Sequence, residues 1–241
     1  MITLVLLPGM DGTGDLFAEF VLALNDDVTP IIVSYPQDHA MGYEELEKYV
    51  RDRLPVDQQY VILGESFSGP IAISIASSQP AGLIGLILCC TFTSNPLPLL
   101  KPMRHLISAL PISSKLTIFI APFLFGQYSS KMLRRNLQLT LGKVTASTLR
   151  KRLRAVFDIE VSMLLERIQI PILYLQAKDD RIVPISALNR ICEYAKNLQV
   201  VTFRAPHLLL QVIPSKSAET VKTFIDKVSA INAETNNSAN P

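Results

Sequence analysis

The chain has no tryptophan and only three cysteines and three histidines in 241 residues. Cys89, Cys90 and Cys192 are too few for a disulfide framework and wrongly spaced for a zinc site. Neighbouring strand residues face opposite ways, so Cys89 and Cys90 are expected on opposite faces, with all three thiols reduced and packed. The greasiest stretch, 106–125, is broken by Pro111, Lys115 and Pro122, so it falls short of the roughly twenty apolar residues of a membrane span. The N-terminus has no basic region, and its apolar run stops at Pro8-Gly9. A secretory signal is therefore not expected, and the expected location is the cytoplasm.

A further absence is regional. From Lys101 through Phe157 there is no aspartate or glutamate, against eleven lysines and arginines. The rest of the chain carries twelve bases and twenty-one acids, so a net charge of +2 divides into a segment at +11 and a body at −9. A field of that strength attracts anions over about a Debye length, ~10 Å at 0.1 M salt. The segment has neither a nucleic-acid-binding motif nor interleaved aromatics, so nucleic acid is excluded as the expected partner.

What is present is an alternation of apolar runs with amphipathic ones. Strands are expected at 2–7, 30–35, 60–63, 83–92, 170–177 and 198–203, and helices at 15–24, 43–54, 67–78, 185–196 and 215–228. This order predicts an α/β domain with a mostly parallel six-stranded sheet and helices on both faces. The length suits a single core. The predicted core comprises 1–94 and 167–231, interrupted by a helical cap over 95–166, with a disordered Asn- and Ser-rich tail over 232–241.

Gly64-Glu65-Ser66-Phe67-Ser68-Gly69 lies between the apolar Tyr60-Val61-Ile62-Leu63 and a small-residue helix. A strand, a sharp serine-bearing turn and a helix lift a hydroxyl above a parallel sheet, and the turn needs small neighbours, which Gly64, Ser68 and Gly69 supply. A serine nucleophile needs a base and an acid to orient that base. Of the histidines, His39 sits in a polar loop and His105 in an apolar, proline-punctuated region, whereas His207 follows the last strand through Arg204-Ala205-Pro206. After the fifth strand Asp179 and Asp180 compete for the acid. Asp179 reads as an exposed loop carboxylate. Glycines 9, 12 and 14 follow the first strand but form neither a dinucleotide fingerprint nor a P-loop.

These four segments, in this order, resemble the α/β-hydrolase superfamily in its serine esterase and lipase branch, over nearly the whole chain. The resemblance implies Ser66, Asp180 and His207 as a triad, with Asp180 preferred to Asp179 because Ala177, Asp180, Val183 and Pro184 meet the family's usual small-x-x-Asp-x-x-Val-Pro spacing. It also implies Met10 and Phe67 as backbone oxyanion donors, an acyl-enzyme mechanism on an ester with an apolar acyl chain, and no metal or cofactor. Two antiparallel edge strands usual in that family are missing, and Pro8-Gly9 stands where relatives carry His-Gly. Thioesterase or lipase activity, and a hydrolase fold that binds without turnover, stay open. The basic cap is similar to that of the pimeloyl-acyl-carrier-protein methyl ester esterases of biotin synthesis. That likeness makes acyl carrier protein a candidate partner, docking on Arg134, Arg135, Arg150, Lys151 and Arg154. In 148–157, Leu149, Leu153 and Val156 recur at helical spacing, which leaves Arg150, Lys151 and Arg154 on the other side. A plain solvated face, an anionic lipid and a small acidic ester are the alternatives.

Overall fold

The computed structural model describes residues 2–102 and 117–238. Six strands form one sheet among them, all parallel, in the order β2-β1-β3-β4-β5-β6. They are β1 (Ile2–Leu7), β2 (Val28–Ile32), β3 (Tyr60–Glu65), β4 (Leu83–Cys89), β5 (Ile172–Ala177) and β6 (Leu198–Phe203). Strands β1, β3 and β4 are almost wholly buried, as continuous apolar runs in a doubly covered sheet must be. The edge strand β2 tolerates Pro30, which lacks a donor for a second neighbour. It starts two residues earlier than expected and ends at Ile32, although Val33 still donates to the Leu6 carbonyl.

Helices α2 (Tyr43–Arg51), α3 (Gly69–Ser77) and α7 (Ile185–Tyr194) cover one face, where Leu46, Val50, Ile71, Ile75, Leu188 and Ile191 pack on the sheet. On the other face lie α1 (Ala18–Leu24) and α9 (Pro214–Ser238), with Phe20, Leu24, Val221, Phe224 and Val228 turned inward. Burying such side chains stabilises by ~1.5–3 kcal/mol each, and these two layers hold most of the apolar core. Between α7 and α9 come β6 and the short α8 (Leu209–Val212).

Three expectations need correction. Helix α9 continues to Ser238, through most of the tail expected to lack order, because a helix anchored by packed side chains propagates at little cost past its apolar stripe. Cys89 and Cys90 do not face opposite ways. The strand ends at Cys89, Cys90 turns to φ 46°, and both thiols join the same core cluster with sulfurs 3.9 Å apart. Cys192 is exposed and not a packing residue.

Between β4 and β5 the chain leaves the sheet. Helices α4 (Thr117–Phe125), α5 (Lys131–Gly142) and α6 (Ala146–Asp158) form this insert, followed by a 3-10 turn at Ser162–Arg167. Ser130 and Thr145 cap α5 and α6, their hydroxyls accepting from the Leu133 and Thr148 amides. Part of the apolar stretch 106–125, together with His105, lies outside the described residues. No helix among the described residues is long and apolar enough to cross a membrane.

Candidate active site

Strand β3 delivers Ser66 at its C-terminal end, where the chain reverses through a 3-10 turn (Ser66–Ser68) into α3. Ser66 has φ 49°, a left-handed conformation that costs a non-glycine residue ~1–3 kcal/mol and persists only where its surroundings enforce it. They do so here by crowding. A Cβ on Gly64 would lie 2.8 Å from the Ser68 carbonyl oxygen, and one on Gly69 would lie 1.9 Å from Thr91 Oγ1. Thr91 Oγ1 in turn donates to the Ser66 carbonyl, pinning the turn to the end of β4.

The loops leaving β5 and β6 bring the other two groups to the same rim. Ser66 Oγ stands 2.8 Å from His207 Nε2, and His207 Nδ1 stands 2.7 Å from Asp180 Oδ2. A carboxylate can only accept, so Nδ1 carries the proton and Nε2 is left to accept from Ser66. Side-chain exposure of His207 and Asp180 is 3% and 6%, so water competes little for either bond. The other oxygen of Asp180 accepts from the Ile182 and Val183 amides at 2.7 and 2.9 Å, which fixes the carboxylate. Asp179 points elsewhere and accepts from Tyr128 Oη at 2.9 Å. His39 is exposed, and its imidazole bonds its neighbour Asp38.

Met10 lines the cavity beside Ser66. The Phe67 amide sits in the first turn of the run entering α3, where N–H groups have no intrahelical acceptor. The structure therefore brings Ser66, His207, Asp180, Met10 and Phe67 to one place. The cavity there has a volume of about 450 Å³. Its apolar wall comes largely from the insert: Leu124 of α4, Leu137 and Leu141 of α5, and Leu149 and Leu153 of α6.

Three features have no counterpart in the motif reading. Ser68, expected only to be small, donates to the Pro8 carbonyl and stands 2.6 Å from Tyr35 Oη; since a carbonyl only accepts, the tyrosine donates to the serine. Glu65 is buried in the cavity wall, where Gln211 Nε2 donates to it at 3.0 Å. Burial pushes its carboxyl up to about 7, with Asp11 adding to the rise while Gln211, His207 and the Gly9 amide oppose it. Arg152 is wholly buried and binds three carbonyls of the core. Helical spacing does set Arg152 apart from its exposed neighbours, at i+3 from Leu149; nothing local marks Glu65.

Of the residues expected to meet a partner, Arg134, Arg135, Lys151 and Arg154 are exposed and Arg150 is half-buried. Part of the segment's charge is used internally, by Arg152 and by Lys143, which pairs with Asp15 at 2.7 Å.

The family model Hydrolase_4, described as serine aminopeptidase, S33, matches residues 34–209, well over half of the chain. The chain belongs to this family. It is 28% identical to a proline iminopeptidase of Saccharolobus solfataricus, over 82% of this chain and 71% of that one. Its fold matches a thermophilic esterase from Thermogutta terrifontis with a TM-score of 0.82 at 17% identity, covering 95% of this chain and 90% of that one. It also matches the enol-lactonase of Burkholderia xenovorans with a TM-score of 0.79 at 13% identity, covering 95% and 91%. This S33 member is thus a hydrolase of the α/β-hydrolase type. Nothing in these likenesses favours a carrier-linked ester.

Proposed function

We propose that the protein is a serine esterase acting through an acyl-enzyme on esters with an apolar acyl chain. The observation that carries the reading is the continuous Ser66–His207–Asp180 hydrogen-bond chain opening into an apolar cavity. Ser66 Oγ attacks the acyl carbonyl as His207 Nε2 takes its proton, and Asp180 holds the imidazole and stabilises the imidazolium that forms. The Met10 and Phe67 amides receive the oxyanion. His207 returns the proton to the departing alcohol, and a water deprotonated by His207 then releases the acid. The insert, read as a cap over 95–166, supplies the acyl pocket.

The aminopeptidase reading is supported by the family model's description, serine aminopeptidase, and by the proline iminopeptidase likeness. It requires a carboxylate to meet the substrate's ammonium in an apolar cavity, since an unpaired buried charge is prohibitive. Among the described lining residues the acids are Asp11 and Glu65. Asp11 accepts twice from Thr13, and Glu65 is engaged by Gln211. From Lys101 to Phe157 the sequence offers no other. Ester chemistry therefore suits the pocket better. An acidic carrier such as acyl carrier protein is the second reading for substrate delivery, favoured only by the exposed basic side chains of α5 and α6.

The test is hydrolysis of p-nitrophenyl esters of graded chain length beside proline p-nitroanilide, with and without Ser66→Ala. Ester turnover should exceed anilide turnover and fall by ~10⁴-fold or more in the variant, with an unchanged melting temperature. A fluorophosphonate probe should label the parent protein at Ser66 alone. Retained turnover in the variant would refute the nucleophile, and preference for the anilide would establish the peptidase.

A further inference from the structure

We propose that Arg152, carried by the insert, is a positioning residue that holds the Met10 amide in place as the second oxyanion donor. The inference rests on the acyl-transfer reading of Ser66. Leu149, Arg152, Leu153 and Val156 share one face of α6, at the i, i+3, i+4, i+7 spacing of an inward stripe. Leu149 and Leu153 line the cavity. Arg152 instead reaches the loop after β1. Its Nη1 donates to the Met10 and Asp11 carbonyls at 3.0 and 2.7 Å, and its Nη2 to the Pro36 carbonyl at 2.8 Å. The guanidinium carbon also lies 5.6 Å from the centre of the Tyr35 ring. Gly12 makes room for it: φ is +71° there, and a Cβ would lie 2.5 Å from Nη1.

A buried arginine on three backbone carbonyls is an expensive way to dock a helix that already has an apolar face. Its placement on this particular loop gives it a use. A trans peptide is planar, so fixing one side's carbonyl fixes the direction of the N–H on the other. The Pro8 carbonyl is held by Ser68 Oγ, the Gly9 carbonyl by the Gly12 amide at 3.0 Å, and the Met10 and Asp11 carbonyls by Arg152. The Gly9–Met10 plane, which carries the Met10 N–H, is thus clamped between a tie from the nucleophile turn and a tie from the insert. One helix both contacts the acyl chain and holds the oxyanion loop. Binding in the cavity and stabilisation of the oxyanion are therefore linked, and shortened acyl chains should lose kcat as well as affinity.

The test compares two ligands of equal alkyl length. A trifluoromethyl ketone is attacked by Ser66 and develops the oxyanion, whereas the corresponding secondary alcohol only fills the cavity. In Arg152→Met the ketone should bind ~10²-fold more weakly, the effect of losing one oxyanion donor, while the alcohol changes less than about threefold. Arg152→Lys, which keeps the charge but not the fork, should fall between the parent and Arg152→Met. Equal weakening of both ligands would reduce Arg152 to a structural strut and overturn the proposal. Should Arg152→Met fail to fold, an unchanged ketone-to-alcohol ratio in Arg152→Lys would overturn it equally. A parent protein that binds the ketone no better than the alcohol would instead sink the acyl-transfer reading, and the tether with it.

Discussion

The turn after β3 and the insert between β4 and β5 face each other across one cavity, but they are held by different means. The turn is fixed by backbone crowding: Gly64 and Gly69 have no room for a side chain, and Ser66 stays at a positive φ because Thr91 and the start of α3 leave it no alternative. The insert is held by apolar packing, with Val156 in the main core and Phe125 and Leu137 against Leu208, and by separate polar ties: Arg152 to three carbonyls, Lys143 to Asp15, Tyr128 to Asp179, and the Thr145 amide to the Gln37 carbonyl at 3.0 Å. Crowding is all or none, because a native core cannot give by an ångström. Polar ties are graded and can be altered one by one. Substitutions around the turn should accordingly abolish chemistry, whereas those in the insert should shift selectivity.

The largest effect that would sharpen this contrast comes from Asp180, the acid of the proposed triad. Asp180→Asn should leave the fold intact and reduce kcat by ~10⁴-fold, because an amide facing His207 Nδ1 stabilises the wrong tautomer and cannot balance an imidazolium. Asp179→Asn, one residue away, should stay within about threefold, since its carboxylate meets Tyr128 and not the histidine. Steady-state kinetics on one short ester decides it. Comparable losses in the two variants would mean that the loop as a whole, and not one carboxylate, supports His207.

The same contrast accounts for how much was legible in the sequence. The order of Ser66, Asp180 and His207 could be read because each follows an apolar strand, and parallel strands in a sheet deliver their C-terminal ends to one rim. The Asp180 choice rested on spacing to Val183, and in the structure the Val183 amide donates to that carboxylate. What could not be read depends on long-range geometry. Ser68 reads from the sequence only as one of the turn's small neighbours, yet its hydroxyl links the turn to Pro8, sixty residues earlier. Arg152 counted among the cap's charges although it is buried, because one arginine in a basic helix looks like the next until its partner loop is known. The left-handed turn at Cys90 has no local signature either, as it answers to the register of β4 against β5.

A smaller effect concerns Glu65, which belongs to the turn but titrates. The groups facing it are Asp11 on the loop after β1, His207 after β6, and Gln211 on α8. Its carboxyl is raised from 4.5 to about 7 by burial, so the native state binds more protons than the unfolded chain between those values. Stability contributed by the protonated form is complete below about pH 4.5 and is lost as pH rises through about 7, by on the order of 3 kcal/mol. Denaturant unfolding at pH 5 and pH 8 should show that loss in the parent protein and a distinctly smaller one in Glu65→Gln. Parallel losses would show that Glu65 is ionised throughout.

The smallest effect tests the outer side of the insert. Arg134 and Arg135 are exposed on α5, in a segment without acids, and isolated surface charges of this kind contribute ~0–1 kcal/mol to stability. Reversing both to glutamate should therefore leave the melting temperature and the hydrolysis of a small neutral ester within about twofold. If the basic face receives an acidic carrier, turnover of a carrier-linked ester should fall by several-fold at low salt, and the difference should fade as ionic strength rises and the Debye length shrinks. Equal rates for both substrates at every salt concentration would assign these arginines to solvent. The acyl cavity and the Arg152 tether would then be the insert's whole contribution to the reaction.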